Sequence, residues 1–85
     1  MRWTVKRVGK KWMATGSFSN SNDTYTFLSN RWREAAAFAV IAAYGTRTAF
    51  WAMYSAVENS GTLPDYYMRG VGERVPKCCT LCASS

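Results

Sequence analysis

Polar and apolar residues alternate along the first third of the chain, the period-two pattern of a strand with one wet face. Trp3, Val5, Trp12, Ala14, Phe18, Tyr25 and Phe27 fall on one side. Arg2, Thr4, Lys6, Lys11, Met13, Thr15, Ser17, Thr24 and Thr26 fall on the other. Gly9-Lys10 and a polar loop at 19–23 interrupt the pattern, so it predicts three strands, at residues 2–8, 11–18 and 24–28. An antiparallel meander with one solvated face has this layout. Gly16, inside the second strand, predicts a bulge or a close backbone approach.

From residue 30 the period lengthens to that of a helix, which residues 30–59 are expected to form nearly throughout. Counted in sevens, Ala35, Phe38, Ala42, Gly45, Ala49, Ala52 and Ala56 share one seam of mostly small side chains. Beside it lie Val40, Ile41, Tyr44, Phe50, Trp51, Met53, Tyr54 and Val57. The large rings on the inner face of the sheet complement the alanines of the seam, filling one layer without overpacking. Ser29 or Asn30 is expected as the N-cap, with Glu34 favoured by the helix dipole in the first turn. Asn59-Ser60-Gly61 is the stop signal.

Gly45 decides how this stretch folds. One unbroken helix would be about 45 Å long. A seven-residue strand covers about 23 Å, so the C-terminal half would need a partner. A break at Gly45-Thr46 instead makes two packed helices, with Thr46 capping the second. A DNA-binding helix-turn-helix is a special case of this arrangement, with a turn glycine and a threonine-rich second helix. Against it, Ile41 stands where a small residue is needed, and Trp51 and Tyr54 replace polar base readers. Residues 35–57 are long enough for a membrane span, but Arg47 at the centre would cost about 2.5 kcal/mol or more. A ligand pocket lined by Trp32, Tyr44, Trp51 and Tyr54 lacks convergent polar groups, so these rings read as core.

Beyond Gly61, Thr62 and Pro64 introduce a short helix at 64–69 that stops at Gly70. Leu63, Tyr66, Tyr67, Met68 and Val71 are expected to fold back on the uncovered half of the long helix. The fold class is therefore α+β: a three-stranded antiparallel meander packed on a long helix, either continuous or broken at Gly45, then a short helix and an irregular C-terminal tail. Residues 1–75 form the domain, and residues 76–85 a flexible tail holding all three cysteines.

Charge and composition narrow the chemistry. An 85-residue chain that is 48% hydrophobic and 15% aromatic is a single folded domain, not a disordered segment. With 11 Lys and Arg against 5 acids, the formal charge of +6 favours an anionic partner, although it also serves plain solubility. Cys78, Cys79 and Cys82 are too clustered for a disulfide framework. They offer three ligands where structural zinc needs four, and the chain has no histidine to complete the set. The residues from Cys82 to the end fit a prenylation box poorly, because Ser84 replaces an aliphatic residue. Met1 leads straight into strand-like alternation, without the apolar run of a signal peptide, and the expected compartment is a reducing cytoplasm.

Without histidine there is no Ser–His or Cys–His pair. Asp23, Glu34, Glu58, Asp65 and Glu73 are scattered, and Gly70-Val71-Gly72 is not a phosphate-binding loop. The chain is expected not to be an enzyme and to use no cofactor or small-molecule substrate. The three-stranded sheet backed by a helix resembles the plan of AP2-like and integrase arm-binding DNA domains over about the first 45 residues, in layout only. That resemblance implies an outer face meeting phosphates and bases through Arg2, Lys6, Lys10 and Lys11. The pattern W-T-V-x-R-x-G-x-x-W, followed by W-R-E-A-x-x-F-A, looks like small orphan accessory proteins of tailed phages, especially those of actinobacterial hosts. The leading expectation is a phage-encoded accessory protein that binds a host or phage protein, or itself, through helical apolar surface over residues 47–68. Its partner-binding residues would be Arg47, Phe50, Trp51, Tyr54, Tyr66 and Tyr67. The alternative is nucleic-acid binding by the outer sheet face.

Overall fold

A computed structural model describes residues 2–18, 22–69 and 79–82. Strands β1 (Arg2–Val8), β2 (Lys11–Ser17) and β3 (Tyr25–Ser29) form the expected antiparallel meander. Two helices follow, α1 (Trp32–Tyr44) and α2 (Arg47–Ser60), then a 3₁₀ turn at Asp65–Met68. The fold is α+β.

The sheet has one strand more than expected. Residues Cys79–Cys82, read from sequence as part of an irregular tail, form β4 and pair antiparallel with β1, giving the order β3-β2-β1-β4. The expected domain boundary after residue 75, the stop at Gly70, Cys78, and Ser19 to Ser21 of the polar loop lie outside the described residues.

The β1–β2 hairpin turns on Gly9, whose φ of 63° at the first central position has the pattern of a type II′ turn. Pairing then runs one-to-one from Val8↔Lys11 to Arg2↔Ser17, with no bulge at Gly16. Gly16 instead stands between Trp3 on one neighbouring strand and Tyr25 on the other. A side chain there would share the inner face with two large rings.

That inner face and the helices make the core. Trp3, Val5, Ala14, Phe18 and Phe27 are buried from the sheet; α1 buries Ala35, Ala36, Ala37, Phe38, Ala39, Val40, Ala42 and Ala43. Alanines around most of its circumference let the sheet lie close, so the aromatic side chains of the strands fill the layer. Phe27 stacks on Phe38 with ring centroids 5.1 Å apart.

The start of α1 is tied differently from expectation. Arg31 is the N-cap residue and makes no side-chain cap. Buried Ser29 works from two positions back: its Oγ accepts from the Arg31 N–H at 3.0 Å and donates to Glu34 Oε2 at 3.1 Å. Glu34 is thereby buried with a partner, as a buried carboxylate requires.

Gly45 breaks the helix, as the second of the sequence readings has it. Its N–H donates to the Ile41 carbonyl at 2.9 Å, closing α1, and its backbone is extended (φ −84°, ψ 177°). A β-carbon at this position would lie 2.6 Å from that same carbonyl oxygen, so close approach selects glycine here, not a left-handed φ. Thr46 then caps α2, its Oγ1 accepting from the Ala49 N–H at 3.0 Å. Gly61, with φ 76°, ends α2 by donating to the Val57 carbonyl at 2.7 Å.

The break carries α2 back onto the core. Phe50 and Met53 are fully buried, so the second half of the helical stretch has a structural role and is not left bare. Ala52 becomes exposed, because the small-residue seam does not continue through the break. The segment after Gly61 packs on α1 instead of the helix half predicted for it. Leu63 and Met68 are buried, and Arg33 Nη2 of α1 donates to the Met68 carbonyl at 3.2 Å.

Candidate functional site

Two surfaces carry the residues singled out from sequence. The first is the face of the sheet turned away from the helices. Its cross-strand rows follow from the register: Lys6–Met13–Leu28, Thr4–Thr15–Thr26, and Val8 beside Lys11. None of these residues is buried; Lys6, Val8, Lys11, Thr26 and Leu28 are exposed and Thr4, Met13 and Thr15 partly so. Among the described residues this face is left uncovered by any helix or loop. The threonine row is braced internally. Thr15 Oγ1 donates to the Tyr25 carbonyl at 3.0 Å and lies 3.2 Å from Thr26 Oγ1.

Lys6 sits in the middle of β1, Lys11 opens β2 and Lys10 occupies the turn, all exposed. Arg2 opens β1, opposite Ser17. The structure thus brings the four predicted cations onto one hairpin. Arg7 falls on the opposite, inward-facing register, where its guanidinium lies 5.8 Å from the Trp12 ring centroid and its Nε donates to the Gly9 carbonyl at 3.3 Å. It braces the hairpin end. Alternation could have assigned Arg7 this side, since it shares parity with Trp3 and Val5. The sequence has no acid before Asp23, so the hairpin carries five cations (Arg2, Lys6, Arg7, Lys10 and Lys11) with no internal counter-charge.

The second surface is aromatic. Of the six partner-binding residues expected from sequence, Phe50 must be withdrawn: it is fully buried at the centre of the ring cluster. Its centroid is 5.0 Å from Phe18, 5.2 Å from Trp51, 5.3 Å from Tyr25 and 5.8 Å from Phe38. Trp51 is 42% exposed and Tyr54 half-buried, and both rings meet Tyr25 edge-on. Exposed Arg47 lies over Phe18, 4.5 Å from its ring centroid, and closes one side of the cluster. Tyr66 is 71% exposed and meets half-buried Tyr67 edge-on at 5.1 Å. Trp51 and Tyr54 belong to one cluster, Tyr66 and Tyr67 to another.

Lys11, Ser29, Asn30, Arg31 and Glu34 line a polar depression of about 270 Å³. Its one carboxylate is already engaged by Ser29. Cys79 stands opposite Val5 and Cys82 opposite Arg2 in the register of β4 with β1. Among the described residues, no group of three or more His, Cys, Asp or Glu could hold a metal ion. No helix among them is long and apolar enough to cross a membrane. Comparison with protein-family models, with curated proteins and with solved structures gave no match.

Proposed function

We propose that this protein is a small non-enzymatic binding module that engages nucleic acid through the outer face of its sheet. The observation that carries this is the coincidence of a face left uncovered among the described residues with a hairpin bearing cations and no acids. Lys6, Lys10 and Lys11, with Arg2, supply the sequence-independent attraction to phosphates. Thr4, Thr15 and Thr26 offer small hydroxyl-bearing side chains, and Met13 and Leu28 apolar contacts of the kind that meet thymine methyl groups. The test is binding to a labelled duplex across a salt series. Four neutralised phosphates give a slope of log K against log salt of roughly −3 to −4. Reversing Lys6 and Lys11 to Glu should weaken binding and bring the slope to about −2 or shallower. Binding insensitive to both salt and reversal would rule the proposal out.

A second reading rests on the exposed aromatics: Trp51 with Tyr54, or Tyr66 with Tyr67, anchoring a protein partner of a phage-type accessory protein. Aromatic side chains of this kind anchor interfaces. Under that reading, Trp51→Ala or Tyr66→Ala abolishes capture of the partner while Lys6→Glu leaves it intact.

A further inference from the structure

We propose that the polar depression beside the start of α1 holds one unpaired guanine nucleotide, whose exocyclic amino group donates to Glu34 Oε1. In taking the ligand to be a nucleotide, this rests on the nucleic-acid reading above. The choice of base follows from the lining itself.

Glu34 is only 9% exposed. Its Oε2 accepts from Ser29 Oγ at 3.1 Å, and among the described residues that is its one hydrogen bond. Oε1 therefore has no donor, which is costly for a buried carboxylate unless water or a ligand reaches it. This oxygen is reachable. Among the described residues, the fully occluded side-chain polar atoms left without a partner are the Trp3 and Trp32 indole nitrogens. Glu34 lines the depression, so Oε1 has its access there.

The other lining groups are complementary to the carboxylate. Lys11, from β2, and Arg31, from the turn before α1, are exposed and line the same space, and neither bonds Glu34. A carboxylate only accepts hydrogen bonds, whereas Lys and Arg only donate them. Guanine matches that division: its N1–H and amino group are adjacent donors on one edge, and O6 and N7 are acceptors on another. The donor edge is the one used in base pairing, so the nucleotide must be unpaired. Half-exposed Leu28 lends the ring an apolar wall. The volume of about 270 Å³ lies just under the roughly 300–1,000 Å³ of small-molecule sites, which suits a single nucleotide. Lys11 and Leu28 also belong to the outer sheet face, so the depression continues the proposed binding surface.

Guanosine and inosine monophosphates provide the test, because they differ only in the amino group. Titration followed by amide chemical shifts should move Asn30, Arg31, Gly61 and Thr62, with the inosine nucleotide binding about tenfold more weakly. Glu34→Gln keeps an acceptor but removes its charge, and should narrow that ratio to about threefold. Lys11→Ala should weaken both nucleotides and leave the ratio unchanged. Equal binding of the two nucleotides would overturn the proposal. So would shifts centred elsewhere, or none at millimolar nucleotide. If Glu34→Gln unfolds the chain, the ratio in the unaltered protein still decides. Mononucleotides make the outcome separate from duplex binding: a duplex that binds without a guanosine preference sinks this inference alone, and a guanosine preference without duplex binding sinks the duplex reading alone.

Discussion

Phe50 marks the difference between an apolar residue that looks available and one that is not. On sequence it belongs to a surplus of aromatic surface; in the fold, rings from β1, β3, α1 and α2, and Phe18 after β2, converge on it. Phe50→Ala should therefore cost about 3–5 kcal/mol in urea unfolding, as truncation of a buried aromatic does. Lys6→Glu, on the uncovered face, should stay within about 0.5 kcal/mol of the parent. Gly45→Ala tests a different cause. The added methyl meets the Ile41 carbonyl oxygen at 2.6 Å, and forcing them apart should destabilise by about 1–3 kcal/mol. That exceeds the roughly 0.4–1 kcal/mol gained by restricting the unfolded chain.

At the level of elements, the break between α1 and α2 depends on two adjacent residues. Gly45 ends one helix, and Thr46 starts the next by accepting from the Ala49 N–H. Thr46→Ala should lower stability by about 1 kcal/mol. A circular dichroism spectrum that keeps its helical content would place the loss at the cap. Much of the architecture was legible because its causes are local. Alternation separates Trp3, Val5, Ala14 and Phe27 from Thr4, Lys6, Lys11 and Thr26; Gly45-Thr46 marks where a break would fall and Thr46 as its cap, but leaves open whether the helix breaks. What was not legible depends on distant contacts. β4 is four residues long and pairs with a strand more than seventy residues earlier in the chain, so no local pattern marks it. The docking of Met68 on α1 through Arg33, and the burial of Phe50, likewise depend on where the chain goes after the break. The candidate cations on the outer face were legible for the same reason as the strands.

The whole molecule has two sides. One is a sheet face with no acid on its first two strands; the other is a helical layer whose alanines and aromatics are largely consumed by the core. Five of the eleven cations and none of the five acids belong to the β1–β2 hairpin, where Lys6, Lys10 and Lys11 are exposed. A localised field of this kind steers an anionic partner to one face and weakens as salt shortens its range. Raising ionic strength should thus slow association with a duplex more than it speeds dissociation.

The central claim is that the outer sheet face is the binding surface, and its most direct test is amide chemical-shift mapping during titration with a short DNA duplex. The account predicts that the shifts concentrate on Thr4, Lys6, Lys11, Met13, Thr15 and Thr26, with α1 and α2 unmoved. Shifts centred on Trp51, Tyr54 and Tyr66, or none at low salt, would contradict it.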